Sequence, residues 1–289
     1  MDKQKKILVA GASGALGLEI VKFMSEQGYE LRVLTSSDDG EQKLTPYSND
    51  IWKADASKEV SRIKDITAGI DTVVSALGNS VSLFTPNKES FYEIDYQSNK
   101  NLLQDAKKNN VKRFVYISIK GADSNKDYTV ANAHKLFEQE LRASSIEYTV
   151  LRPVGFFSGI HDLAIMAKRN VIPIVGDGSA KTNSIHHEDL AKVVVRYVDS
   201  GPELIEVGGP KIHTRLEMAE MIQEAIGGKI IKIPEIVADA GLALPKFFDD
   251  FHDKLDYFKY ITTRDMIGEQ YGTTTFKEYL SNLDKNQLP

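Results

Sequence analysis

The stretch Gly11-Ala12-Ser13-Gly14-Ala15-Leu16-Gly17 constrains this chain more than any other. It follows directly on the apolar run Ile7-Leu8-Val9-Ala10, which reads as a buried strand. Leu16, Ile20, Val21, Phe23 and Met24 then recur at helical spacing, so the glycines sit on a strand-to-helix turn. Glycine permits the tight curvature, and the missing side chains leave N–H groups at the helix N-terminus open to a pyrophosphate. The third glycine lets the helix pack closely on its strand. The spacing is Gly-x-x-Gly-x-x-Gly and not the Gly-x-Gly-x-x-Gly fingerprint of dinucleotide sites. Its place, after the first strand and opening the first helix, nonetheless reads as a dinucleotide turn.

Strand and helix patterns alternate from there. Gly28 reads as a helix stop. Residues 31–34 read as a second strand with 35–39 as its loop, 51–55 as a third, 60–68 as a helix stopped by Gly69, and 72–76 as a fourth strand. A loop with Pro86 leads to a long helix over 91–109, a fifth strand over 113–118, a helix over 130–143 and a sixth strand over 148–152, ended by Pro153. Such alternation implies an α/β fold, a doubly wound parallel sheet of the Rossmann kind, with its ligand beyond the carboxyl ends of the strands. Further on, 189–198 reads as a helix capped by Asp189 and 204–207 as a strand ended by Gly208-Gly209-Pro210. Residues 216–226 read as a helix stopped by Gly227-Gly228, 230–234 as a strand, and the rest as largely helical through 283. The expected division is a nucleotide-binding domain of 1–153 and 186–210, and a smaller C-terminal substrate lobe of 154–185 and 211–289.

The chain has no cysteine, which excludes disulfides, thiolate nucleophiles and Cys-ligated metal, and fits a reducing, cytoplasmic setting. Its net charge of −5 gives no reason to expect nucleic acid. No apolar run reaches the roughly 18–20 residues that span a bilayer. The charged start Met1-Asp2-Lys3-Gln4-Lys5-Lys6 runs straight into the first strand and does not read as a secretory signal.

The ensemble of GASGALG at 11–17, DTVVSALG at 71–78, IDYQSNKNLL at 94–103, VKRFVYIS at 111–118, HKLFEQELRAS at 134–144, YTVLRPVGFFS at 148–158, IHHEDLA at 185–191 and IEVGGP at 205–210 covers nearly the whole chain. In these it resembles the atypical or extended short-chain dehydrogenase/reductases, in the NmrA-like and isoflavone-reductase-like branch, most of all the subgroup related to the complex I accessory subunit. The resemblance implies NAD(P) as cofactor. It implies that the backbone of Gly11, Gly14, Ala15, Leu16 and Gly17, helped by the Ser13 hydroxyl, holds the pyrophosphate. Thr35 and Ser36 would meet the adenosine ribose, Asp55 and Ala56 the adenine, and Ala76, Leu77 and Gly78 the floor beneath the adjacent ribose. Ser118, Lys135, Pro153, Val154 and Phe156 would surround the nicotinamide. Asn99 is a structural polar position in this family.

Whether NAD or NADP is used stays open. A carboxylate about 20 residues after the glycines takes the ribose 2′-OH of NAD, and an arginine there takes the 2′-phosphate of NADP. The chain has Thr35-Ser36-Ser37 followed by Asp38-Asp39, where the family often has a basic residue in place of Ser36; Arg32 falls inside the strand. The family's catalytic tyrosine precedes its lysine by four residues, on one helical face. Here Lys135 has Ala131 at that position, and Tyr128 stands seven residues before it, about 10.5 Å along a helix axis. Lys135 would therefore orient a ribose, and no residue is assigned as catalytic. Two functions follow. One is NAD(P)-dependent reduction of a small, uncharged carbonyl or quinone-like substrate; the other is a non-catalytic NAD(P)-binding sensor or assembly protein.

Two further patterns have structural readings. His186-His187-Glu188-Asp189 resembles a metal cluster, but adjacent residues cannot all point inward, so capping and packing are expected. Phe247, Phe248, Phe251, Leu255 and Phe258 form an apolar stripe opposite Asp249, Asp250, Asp253 and Asp256. Core or interface packing is the expectation, with a lid over an apolar substrate or a membrane-surface helix as the alternative.

Overall fold

The computed structural model describes residues 5–124, 128–242 and 249–284. The first half runs β1 (Lys6–Ala10), α1 (Ala15–Glu26), β2 (Glu30–Thr35), α2 (Asp38–Leu44), β3 (Asp50–Lys53), β4 (Thr72–Ser75), a π-helical segment Tyr92–Ser98, α3 (Asn99–Lys108), β5 (Arg113–Ile117), α4 (Thr129–Arg142) and β6 (Glu147–Pro153). The second half adds α5 (His161–Lys168), β7 (Val171–Val175), β8 (Lys181–Thr182), α6 (His187–Arg196), β9 (Leu204–Gly208), β10 (His213–Thr214), α7 (Arg215–Ile226), β11 (Lys229–Ile233), α8 (Glu235–Leu242), α9 (Asp249–Thr262), β12 (Glu269–Gln270) and α10 (Phe276–Asn282).

Eight strands form one sheet in the order β12-β9-β6-β5-β4-β1-β2-β3. Every neighbouring pair in it is parallel. Both faces of such a sheet must be covered, and successive residues of β1 show how. Leu8 and Ala10 join Val73, Phe114 and Tyr116 against Leu102 and Leu103 of α3 and Phe137 and Leu141 of α4. Ile7 and Val9 join Val74 and Val115 on the other face, against Ile20 and Met24 of α1 and Leu190 and Val194 of α6. A separate core of Phe157, Ile172, Ile174, Met218, Ile222, Phe276 and Leu280 gathers β7, α7 and α10. Two small sheets, β10 with β8 and β11 with β7, lie outside the main one. The short β12 carries residues 269–270 back to β9 of the main sheet.

Several elements depart from the sequence reading. No helix forms over 60–68, which is a run of turns. Just before it, Asp55 Oδ1 accepts from the Ser57 N–H and hydroxyl. Asp105 accepts from the N–H groups of Asp65 and Thr67 and from the Thr67 hydroxyl. Asp65 itself sits at φ 63°. Conversely, Asp38 and Asp39, read as the end of a loop, open a helix over 38–44, because Ser37 accepts from the Gly40 N–H and Asp38, Asp39 and Glu41 occupy the first turn. The expected helix over 91–109 opens as a π segment. There Asn99 donates its Nδ2–H to the Asp95 carbonyl, 2.8 Å, while its Oδ1 accepts from Ser75, so a side chain occupies the backbone ladder. Asn99 is thus structural. Asp189 is not a cap: His186 caps α6, and Asp189 is buried, accepting from the N–H groups of Thr273 and Thr274.

Candidate functional site

At the carboxyl edge of β1 the glycine turn is built to tight tolerances. Gly11 adopts φ +72°, and a Cβ there would lie 2.6 Å from the Ala76 carbonyl oxygen. A Cβ on Gly17 would overlap the Gly11 carbonyl oxygen, so α1 rests directly on the turn. Gly14, at φ −71° and ψ 167°, is the N-cap of α1 and is exposed. The helix begins with no side-chain cap and no acidic residue in its first turn. Its first N–H groups, from Ala15, Leu16 and Gly17, have no intrahelical acceptor, and the helix dipole favours an anion beside them. The residues therefore fit a pyrophosphate.

The Ser13 hydroxyl lies 2.8 Å from that of Thr35, tying the turn to the end of β2. Thr35 is buried and Ser36 is exposed. Arg32 does not reach back toward a ribose. Its guanidinium bonds Asp50 at 2.9 Å and the Ile66 and Ala68 carbonyls at 2.6 and 3.2 Å, and lies over the Trp52 ring. Just past β2, Lys53 Nζ stands 2.5 Å from Asp38 and 2.9 Å from Glu41, while Lys43 pairs with Asp39 at 2.6 Å. Asp55 holds a turn, and the Ala56 carbonyl accepts from Asn101.

Beyond β4, Ala76 donates to the Ala10 carbonyl, and Gly78 is exposed. Behind Gly78 runs a buried chain that the sequence reading missed. Asp95 accepts from the Asn79 N–H at 3.2 Å and lies 3.1 Å from His134 Nε2, while His134 Nδ1 is 2.6 Å from the Tyr116 hydroxyl. With Tyr116 donating to Nδ1 and Nε2–H donating to Asp95, every member of the chain has a partner. No sequence spacing announces it, because the three groups come from three elements. It anchors the turn at Gly78-Asn79.

Lys135, on α4, makes no hydrogen bond or ion pair among the described residues. It is half-buried on that helix. Tyr128 is not its partner. It is the N-cap residue of α4, 7 % exposed, with its ring 4.5 Å from that of Tyr260. Burial, then the charge of Asp256, pushes its hydroxyl pKa up, the opposite of what a proton-relaying tyrosinate requires.

Ser118 directly follows β5. Its hydroxyl is buried and donates to Glu138 at 2.6 Å, and Arg152 grips the same carboxylate through Nε and Nη2. Burial opposes the Arg152 charge, but Glu138 and then Asp123 hold its pKa above the ordinary range. Ser118 belongs to this buried network. Pro153 and Val154 are buried, and their backbone groups bond Lys120 and Val207. Phe156 stacks on His187, centroids 4.7 Å apart at 15°. Burial, then the neighbouring His186, pulls the His187 pKa down to about 4. The residues 186–189 thus cap, stack and pack, and no group of three His, Cys, Asp or Glu able to hold a metal occurs among the described residues.

The helix α9 packs against α4. Of the expected stripe, Phe247 and Phe248 lie outside the described residues, and Phe251 is 48 % exposed. The buried face instead carries Lys254 and Tyr257, with Tyr260 against Gly121 and Tyr128. Lys254, 1 % exposed, donates to the Thr85 carbonyl at 2.7 Å and to Asp250 at 2.8 Å. Asp250 also accepts from the Asn87 backbone and side chain, and Asp162 of α5 holds Ser82 and the Leu83 N–H. The strap of residues 79–90 is therefore pinned from both sides. No helix among the described residues is long and apolar enough to cross a membrane.

With this geometry in place, comparison with known proteins is informative. A family described as NAD(P)H-binding matches residues 11–200. The photosystem II assembly factor Ycf39 of Guillardia theta is 27% identical over 281 residues, 93% of this chain and 87% of that one. The divinyl chlorophyllide a 8-vinyl-reductase, chloroplastic, of Arabidopsis thaliana is 27% identical over 265 residues, 82% of this chain and 62% of the reductase. Among solved structures, the NADPH-dependent quinone oxidoreductase QOR2 of Escherichia coli complexed with NADPH shares the fold, with a TM-score of 0.72 at 20% identity, over 95% of this chain and 98% of that one.

Proposed function

This chain belongs to the NAD(P)H-binding family, and from that premise we propose that it is an NAD(P)-dependent oxidoreductase acting on a small, uncharged carbonyl or quinone-like substrate in a reducing compartment. The observation that carries the reading is the glycine turn with the uncapped N-terminus of α1; Lys135 of α4, which has no hydrogen-bond or ion-pair partner among the described residues, supports it. When bound, the nicotinamide would supply a hydride. The backbone of Gly14, Ala15, Leu16 and Gly17 would hold the pyrophosphate, with Ser36, Asp55, Ala56, Leu77 and Gly78 along the adenosine side. Lys135 would fix the nicotinamide ribose through its three donors. Pro153, Val154 and Phe156 would border the nicotinamide side. The lobe of 154–185 and 211–289 would supply the substrate side.

A second reading is favoured by one observation. Ala131 stands where the tyrosine would, and Tyr128 is buried against Tyr260, so neither position offers a tyrosine to deliver a proton. On this reading the chain binds NAD(P) as a sensor or assembly protein, a role that the named function of the Guillardia relative supports. Titration of the purified protein with NADH and NADPH, followed by a screen of quinones and uncharged aldehydes for oxidation of the bound cofactor, separates the two. Turnover establishes the first; tight binding without turnover across the panel establishes the second.

A further inference from the structure

We infer that the start of α7 carries a further binding site, for a small oxyanion of the carboxylate or phosphate kind, with the Arg215 guanidinium and the Thr182 hydroxyl as its donors. The site lies on the β8–β10 ribbon, outside the main sheet. None of its residues belongs to the glycine turn, so the inference goes beyond the cofactor reading and does not depend on it. Both side chains carry a buried polar atom with no hydrogen-bond partner among the described residues, Nε of Arg215 and Oγ1 of Thr182. The ribbon brings the two together. His213 and Thr214 are the antiparallel register partners of Thr182 and Lys181. The Arg215 N–H continues that pairing onto the Ala180 carbonyl, at 2.9 Å. Arg215 therefore stands two residues beyond the partner of Thr182, on the diagonal that a long side chain can span.

The guanidinium has no counter-ion. Its Nη2 donates to the Ile261 carbonyl at 2.6 Å, and Arg215 makes no ion pair among the described residues. The acidic groups on the neighbouring chain are committed elsewhere. Glu217 accepts from the Thr214 N–H at 2.7 Å, and Asp265 from the Lys181 N–H at 2.8 Å. Arg215 is also the first residue of α7, the positive end of the helix dipole, where a cation is disfavoured. Burial pulls its pKa down to about 10. Charges taken out of water are ordinarily paired, because an unpaired one is costly. An arriving oxyanion would pair the guanidinium, give Nε its acceptor and offset the helix dipole together. The Thr182 hydroxyl, 0% exposed, would donate to the same group. A water molecule would satisfy the two orphaned atoms but leave the charge uncompensated, so an anion is the better match. Arg215 as a whole is half-buried, which leaves the site a way in from solvent.

Calorimetric titration of the purified chain with inorganic phosphate and with sodium acetate, at fixed ionic strength, tests this. Phosphate also suits the glycine turn, so the site is read as the binding that the parent shows and Arg215→Met lacks. The tighter of the two anions identifies the group. At about ten times the dissociation constant, the bound anion should raise the melting temperature of the parent by about 2–4 °C more than that of Arg215→Met. In buffer free of both anions, Arg215→Met should melt no lower than the parent, because it removes an unpaired buried charge. Thr182→Val should weaken the anion about fivefold. If Arg215→Met does not fold, Thr182→Val carries the test, since its hydroxyl makes no hydrogen bond for the fold to lose. A parent that binds neither anion overturns the inference, as does binding that is unchanged in Arg215→Met or in Thr182→Val.

Discussion

Gly14→Val separates the binding role of the glycine turn from its structural role. A Cβ at Gly14 would meet only the Gly11 carbonyl oxygen, at 3.3 Å, and the backbone there is extended, which valine adopts freely. The change in stability should stay within about 1 kcal/mol, since lost chain flexibility in the unfolded state and a poorer cap work in opposite directions. The isopropyl group would instead stand over the uncapped N–H groups of α1, where the pyrophosphate is proposed to lie. Losing two charge-assisted hydrogen bonds at about 1.5–3 kcal/mol each amounts to at least about 3 kcal/mol, or more than a hundredfold in Kd. Gly17→Ala provides the contrast, because its Cβ would overlap the Gly11 carbonyl and α1 must move off β1; it should lower stability by about 1–3 kcal/mol. The measurements are thermal unfolding and NADH titration on the same preparations. A folded Gly14→Val protein that binds NADH like its parent refutes the assignment.

Three further outcomes follow from the site. Lys135→Met should weaken dinucleotide binding by about 1.5–3 kcal/mol, while Tyr128→Phe leaves it unchanged; large loss of turnover in Tyr128→Phe would show that this residue enters the chemistry after all. Ser118→Ala should cost about 1–3 kcal/mol of stability, since buried Glu138 loses a donor, with cofactor affinity unaffected as read by titration. His187, depressed to about 4 from an ordinary 6.5, stabilises the fold in its neutral form. That contribution is complete above pH 6.5 and fades as pH falls toward 4, by up to about 3 kcal/mol. Denaturant midpoints measured across this window should show the decline, and His187→Phe should flatten it.

The parallel sheet was legible because strands covered on both faces must be nearly continuous apolar runs, as 7–10, 72–76 and 113–118 are. The glycine turn was legible because each of its positions meets a local steric demand. What stayed hidden depends on partners distant in sequence. The stretch 60–68 has the spacing of a helix, yet Asp105, some 40 residues on, captures the donors of Asp65 and Thr67. The bond of Ser118 was hidden for the same reason: Glu138 claims its hydroxyl from another element. In β12, Glu269 and Gln270 are exposed and join the sheet by backbone alone, so their side chains carry no pattern. On α9 a buried lysine stands where polarity alone argues for solvent, because Thr85 and Asp250 satisfy its ammonium.

The strap between β4 and the π segment has a consequence on the timescale of solvent exchange. Surface loops ordinarily trade their amide protons quickly, since nothing but water holds them. Here the amides of Asn79, Leu83 and Asn87 end on carboxylates from the π segment, α5 and α9, in that order. Deuterium can enter these positions only when a helix and the strap part company. The three amides should therefore exchange slowly, and Lys254→Met should speed Asn87 first, with Asn79 keeping its own separate clock.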